Sequence, residues 1–167
     1  LTAATPLSQM KFDQLPTPAE DLFLGMTAGS TGETGALLIL LGGAWLVARN
    51  MMNWRIPAAI FATVAALSAM LHWAAPADYP GPMFMLFSGG LMLGAVFMAT
   101  DMVASPITAR GVVLYGVLIG ALVVVIRLWG GMPEGVMYAI LLANAVSPHI
   151  DRLVQPRVFG TAGRGVR

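Results

Sequence analysis

Residues 111–131 read Gly-Val-Val-Leu-Tyr-Gly-Val-Leu-Ile-Gly-Ala-Leu-Val-Val-Val-Ile-Arg-Leu-Trp-Gly-Gly. Arg127 is the one charged residue among them, and it stands near the end of the run. About 20 such residues in a helix cross the roughly 30 Å of hydrocarbon in a bilayer. The apolar side chains fall on every face rather than in one stripe, as expected of a lipid-facing helix and not of an amphipathic surface helix. Four further stretches have this character: about Gly35–Met52, Trp54–Ala75, Met83–Ala104 and Glu134–Leu153. The expected fold class is therefore an all-α membrane protein with five transmembrane helices.

Composition leads to the same class. Of 167 residues, 57% are hydrophobic and only 10% are charged. A soluble domain carries roughly 25% charged residues, so this chain has too little polar surface to cover a water-soluble globule. Disorder, a long coiled coil and a nucleic-acid module are excluded on the same grounds. The absence of Cys rules out disulfides, thiolate zinc sites and cysteine-ligated iron–sulfur clusters. With His72 and His149 the only histidines, a haem held by two His of this chain is disfavoured. Electrons passing through here would need an organic cofactor.

The links between stretches are short and rich in breakers. Residues 49–55 join the first pair; Pro76, Pro80, Gly81 and Pro82 the second; Asp101–Arg110, with Pro106, the third; Gly130, Gly131 and Pro133 the fourth. Short links make neighbouring helices antiparallel. Alternation then gathers Arg49, Arg55, Arg110, Arg152, Arg157, Arg164 and Arg167 on one side, seven of the nine basic residues, and leaves Lys11 and Arg127 on the other. The positive-inside rule makes the first side cytoplasmic. Residues 1–34 are then an outward-facing segment, periplasmic in a bacterium. Residues 35–155 form the bundle, and 156–167 a cytoplasmic tail. Trp54, Trp73 and Trp129 fall at span ends, as an interfacial belt requires, whereas Trp45 falls inside a span and is expected to pack. Gly90 with Gly94 and Gly116 with Gly120 have the small-xxx-small spacing that lets helices approach closely. The chain begins with Leu1 and has no basic n-region with a cleavage site, so a piece of a longer protein is expected.

Chemistry is sparse within the spans. No Asp, Glu or Lys falls at the middle of one, where proton relays usually sit, so this chain is not expected to carry an ion path by itself. His72, Glu33, Arg127 and Glu134 fall near outer span ends, where they are expected to snorkel. Asn144 lies mid-span four residues before Pro148, which is expected to kink the helix; an interhelical hydrogen bond or a pathway at the kink would each use the amide. Asp101 ends the third span, capping a helix or pairing with Arg110 in the plainest reading. In the polar head, Ser30 and Glu33 have capping-box spacing, and the Gly29–Gly32 amides at a helix start would also suit a phosphate. Thr5 before Pro6 is, by its residues alone, a loop residue.

Resemblance adds to this. Thr2-Ala3-Ala4-Thr5-Pro6-Leu7 resembles the flavinylation motif, Ser/Thr-Gly-Ala-Thr, of the family that holds the D subunit of Rnf complexes and the B subunit of sodium-pumping NADH:quinone reductase. Ala3 stands where the family usually has Gly. Gly29-Ser30-Thr31-Gly32-Glu33-Thr34, Phe97-Met98-Ala99-Thr100-Asp101, Arg127-Leu128, Pro133-Glu134-Gly135-Val136 and Ala143-Asn144-Ala145 are similar to further family segments, in the same order. The Pro-Glu-Gly-Val run and Arg157-Val158-Phe159-Gly160 fit the Rnf D subunit better than its quinone-reductase relative.

The resemblance implies a ten-helix protein of two five-helix halves in inverted repeat, this chain being the C-terminal half. It implies FMN joined through a phosphoester to Thr5, and a second, non-covalent riboflavin towards the inner face near Asp101. It implies partnership with the A, B, C, E and G subunits of an Rnf complex in a bacterial inner membrane, and electron transfer between ferredoxin and NAD+, in a direction left open, coupled to Na+ or H+ movement. Thr2, Ser30, Thr31, Gly32, Glu33 and Thr34 are then flavin-site residues with Thr5, the Thr5 loop folding back over the Ser30–Glu33 turn and Phe23 and Met26 supplying an apolar wall. Three other readings stay open: the quinone-reductase B subunit, half of an inverted-repeat permease, which would show discontinuous helices and no flavin, and a passive membrane anchor that would leave Thr5 unmodified.

Overall fold

A computed structural model describes residues 5–13, 18–25, 35–76, 79–132 and 134–155. Among them every regular element is helical. Two short helices come first: α1 (Pro6–Ser8), which runs on into a π-helical turn over Gln9–Asp13, and α2 (Ala19–Leu24). The apolar stretches then give α3 (Ala36–Ala48), α4 (Arg55–Ala74), α5 (Pro82–Phe87), α6 (Leu91–Leu93) continued by a π-helical turn over Gly94–Met98, α7 (Ala109–Trp129) and α8 (Val136–Leu153).

The stretch that decides the fold is the centre of the bundle. α7 packs on α4 along one side and on α8 along another, and the Gly94–Met98 turn lies against both α4 and α8. The buried side chains recur at helical spacing: Ile56, Ile60 and Val64 on α4; Val112, Tyr115, Ile119 and Val123 on α7; Val136, Ala139, Ile140 and Ala143 on α8. Outward-pointing Leu114, Val117, Val125, Leu141 and Leu142 are exposed, as side chains facing lipid or a partner subunit would be.

Gly116 and Gly120 do bring helices together, with α4 as the neighbour. A Cβ at Gly116 would stand 2.6 Å from that of Ala59, and one at Gly120 would stand 2.7 Å from that of Thr63. Gly94 faces Val136 of α8, but Gly90 faces open space, so Gly90 and Gly94 do not form one contact face. Between α7 and α8, Tyr115 donates its hydroxyl proton to Oδ1 of Asn144. That is the interhelical hydrogen bond the sequence offered, in a helix that runs on through Pro148.

Three stretches depart from the expected spans: the first, the third, and the fifth, whose helix α8 has 18 residues but is not among the helices apolar enough to cross a membrane. α4 and α7, with 20 and 21 residues, are long and apolar enough to cross a membrane. α3 has only 13 residues, about 20 Å at 1.5 Å per residue. It stops because Asn50 turns left-handed at φ 56°. The amide of Met51 reaches the Leu46 carbonyl and that of Asn50 the Val47 carbonyl, a Schellman ending. At the other end Gly35, at φ +85°, precedes the first helical residue; the capping box expected at Ser30 and Glu33 lies outside the described residues. Trp45, expected to pack, is 67% exposed on α3.

The third stretch is not one helix. It breaks at Ser88-Gly89-Gly90, between α5 and α6, because Gly89 takes φ +68°, a left-handed turn that no right-handed helix can absorb. A side chain at that position would be strained by the left-handed backbone and would displace the Glu134 carboxylate and the Arg127 guanidinium.

Candidate functional site

One end of the bundle collects the termini of α4, α7 and the beginnings of α5 and α8. α1, its π-helical turn and α2 dock on this end. Leu7 and Leu22 are buried against Phe84 of α5, with Met10 and Phe87 packed around them. Phe23 meets Phe87 edge to face, ring centroids 5.2 Å apart. Phe23 thus packs on Phe87 of α5; Met26 lies outside the described residues.

Thr5 opens this docked segment. Its extended backbone (φ −65°, ψ 149°) and the following Pro6 make it the N-cap of α1. Its hydroxyl oxygen accepts from the Ser8 amide at 3.4 Å, and its carbonyl accepts from the Gln9 amide at 2.9 Å. The hydroxyl acts only as an acceptor among the described residues, which leaves its proton replaceable without loss of the cap. Thr2, Ser30, Thr31, Gly32, Glu33 and Thr34 lie outside the described residues, so the expected fold-back of the Thr5 loop over that turn does as well.

Lys11 fixes the segment to the bundle. Its ammonium donates to three main-chain carbonyls at the end of α7: Arg127 at 2.9 Å, Gly130, and Met132 at 3.0 Å. The last carbonyls of a helix have no partner within the helix and carry the negative end of its dipole, so a cation is the natural cap.

The side chain of Arg127 serves the helix break. It is 4% exposed and turned inward, not snorkelled to the interface as expected. Nη1 donates to the Met85 carbonyl at 2.6 Å and Nη2 to the Ser88 carbonyl at 2.9 Å. Nη2 also lies 3.3 Å from Oε1 of Glu134, whose Oε2 accepts from the Gly90 amide at 3.0 Å. The break frees carbonyls at the end of α5 and amides at the start of α6. The cation takes the first and the carboxylate the second, so both charges match the half-helix ends they cap. Ser88 Oγ, also buried, has no partner among the described residues.

Sequence reading missed this cluster. The signal was there: Ser88-Gly89-Gly90 inside an apolar run, together with an Arg on the neighbouring apolar helix, since ionisable residues in spans turn inward towards partners.

Asp101 lies at the opposite end and is exposed. Its carboxylate accepts from the Val103 amide at 3.2 Å, a local turn; the pairing with Arg110 does not occur among the described residues. At that end Asp151 accepts from the Ile107 amide and Thr108 caps α7 through the Gly111 amide. Asp101 is thus not brought together with Thr5.

Among the described residues the fold is all-helical and compatible with a membrane protein, with one interrupted apolar segment, its break closed by an internal ion pair, and an N-terminal segment docked on one end. Residues 1–160 match the family described as NQR2, RnfD, RnfE, and the chain belongs to that family. It is 50% identical over 143 residues to the D subunit of the ion-translocating oxidoreductase complex of Stutzerimonas stutzeri, covering 86% of this chain and 40% of that protein. It is 42% identical over 171 residues to the D subunit of the proton-translocating ferredoxin:NAD(+) oxidoreductase complex of Clostridium ljungdahlii, covering 96% and 52%. To the D subunit of the Na(+)-translocating ferredoxin:NAD(+) oxidoreductase complex of Acetobacterium woodii it is 39% identical over 165 residues, covering 96% and 49%. The chain thus spans about half the length of the curated relatives it matches. These overlaps concern extent and not place, so the expected C-terminal position stands apart from them.

Proposed function

We propose that this chain is part of the membrane flavoprotein, the D subunit, of an ion-translocating ferredoxin:NAD+ oxidoreductase, with FMN joined to Thr5 by a phosphoester. The observation that carries the reading is Thr5 itself. Its hydroxyl is half-buried, keeps a proton free for replacement, and opens a segment docked on one bundle end beside the Phe23–Phe87 pair. A covalently held flavin would use such a tether, with an apolar surface beside it. Bound there, FMN would supply one- and two-electron transfer, while the protein supplies position and electrostatics. This chain's residues hold the tether: Pro6 sets the extended backbone, the Ser8 amide faces the Thr5 oxygen, and Lys11 with Leu7 keeps the segment on the bundle.

In this reading the docked end faces the periplasm and the end with Arg49, Arg55 and Arg110 the cytoplasm, by the excess of basic residues. Five membrane-crossing stretches, the broken one included, form one half of an inverted-repeat bundle in a bacterial inner membrane, working with the A, B, C, E and G subunits. Electron transfer is coupled to Na+ or H+ movement by the complex. The second flavin, a non-covalent riboflavin, belongs near the Asp101 end. The quinone-reductase B subunit differs from this in its electron acceptor.

One observation favours a second reading. A permease half would have a discontinuous helix, and α5 and α6 form one. Against it, the groups freed by the break are already taken by Arg127 and Glu134. Flavin content separates the two. The protein run on a denaturing gel should fluoresce under ultraviolet light, and its Thr5 peptide should gain the mass of FMN less water. Thr5→Ala should abolish both. Fluorescence that persists in Thr5→Ala, or a bare Thr5 in the assembled complex, defeats the assignment.

A further inference from the structure

We infer that Lys11 is the positioning residue for the group carried by Thr5: its ammonium, seated on the carbonyl end of α7, fixes where that group stands relative to the bundle. The inference rests on the flavin reading of Thr5 and adds to it the device that holds the tether. Lys11 donates to Arg127, Gly130 and Met132, more than 115 residues away in the chain. Three acceptors saturate an ammonium, which has three protons to give. The acceptors belong to a helix terminus, so the cation is held by the dipole as well as by the hydrogen bonds. Between Lys11 and Thr5 the chain is a continuous helical unit, α1 and its π-helical turn, closed by the Gln9 amide on the Thr5 carbonyl. A clamp at Lys11 is therefore felt at Thr5. Leu7 supplies the other anchor, buried against Leu22 and Phe84. Without the ammonium the segment would pivot on that apolar contact alone, and the α7 carbonyls would lose their cap.

A plain helix cap would contribute stability and nothing more. The two roles separate in the assembled complex carrying Lys11→Met or Lys11→Arg. The readouts are covalent flavin on this protein, iodide quenching of that flavin's fluorescence, its midpoint potential, and deuterium uptake by the peptide spanning residues 5–13. Positioning by Lys11 predicts faster uptake in Lys11→Met, a quenching constant raised at least about twofold by local opening, and a shifted potential. Lys11→Arg, whose guanidinium also donates to several carbonyls, should restore all three. Loss of attachment in Lys11→Met with rescue in Lys11→Arg supports the inference too, since a misplaced hydroxyl cannot be loaded. Unchanged quenching and potential in a loaded Lys11→Met complex overturn it, whether or not uptake rises. Loss of attachment in both variants also overturns it, because the side chain would then be read during loading rather than used for docking. A wild-type protein without flavin on Thr5 defeats the underlying reading instead, and is seen before any Lys11 variant is made.

Discussion

Lys11 and Arg127 are linked through the main chain: the ammonium of one donates at 2.9 Å to the carbonyl of the other, whose own guanidinium reaches the Met85 and Ser88 carbonyls. The N-terminal segment, the end of α7 and the break between α5 and α6 thus meet at a single residue. Disturbing Arg127 should be felt at all three.

Arg127→Met keeps the length of the side chain and removes its donors. The Met85 and Ser88 carbonyls lose their cap and Glu134 its countercharge. Breaking a buried pair costs about 3 to 5 kcal/mol, and the partial exposure of Glu134 moves the expected loss to about 2 to 3 kcal/mol. Glu134→Gln retains an acceptor for the Gly90 amide and should cost about 1 kcal/mol. Denaturation in mixed micelles measures both. A double variant that loses the sum of the two would show that the pair is not coupled.

Ser88→Ala should go the other way. Its hydroxyl is buried without a partner among the described residues, and an unsatisfied buried polar group costs about 1 to 3 kcal/mol. Removing it should stabilise the protein by roughly 1 kcal/mol in the same assay. A loss of stability would mean that the hydroxyl has a partner beyond the described residues.

How far the sequence was readable follows from these residues. The class was carried by what is missing: with 10% charge, no arrangement of this chain covers a globule. The placing of Gly116 and Gly120 at a close helix contact was readable too, although spacing cannot name the opposite helix, here α4. The break at Gly89 was hidden because hydropathy averages across it: Phe87, Leu91 and Met92 keep the run apolar while φ changes sign. The inward turn of Arg127 was hidden for a related reason. Its position along α7 suits an interfacial residue, and only the freed carbonyls of another stretch, 39 and 42 residues earlier, supply a reason to turn in. Thr5 was singled out by resemblance alone, since a Thr before a Pro carries no chemistry of its own; the docking of its segment through Lys11 was contained in no local pattern.

Gly120→Leu should separate α4 from α7. The first added carbon would already stand 2.7 Å from Thr63 Cβ and 3.1 Å from the Ile60 carbonyl oxygen, and backbone cannot yield as a flexible side chain would. Overpacking typically costs about 1 to 3 kcal/mol, and a branched side chain at a backbone contact belongs at the upper end. Loss of folded protein from detergent-solubilised membranes, with Gly120→Ala intermediate, is the expected outcome. A normal yield of folded Gly120→Leu would mean that α4 and α7 do not pack here.

Tyr115→Phe removes the proton that Asn144 Oδ1 accepts between α7 and α8 and changes little else in volume. Interhelical hydrogen bonds in membranes contribute about 0.6 to 2 kcal/mol, because the separated helices find other partners in the bilayer. The expected result is a loss within that range in mixed-micelle unfolding, and no change in deuterium uptake by residues 5–13, since that segment docks through α1, α5 and the end of α7. Asn144→Leu should lose a comparable amount, and the double variant little more than either, as the two side chains share one bond. If instead Asn144→Leu lost far more stability than Tyr115→Phe, the amide would have a further partner that this hydrogen bond does not account for.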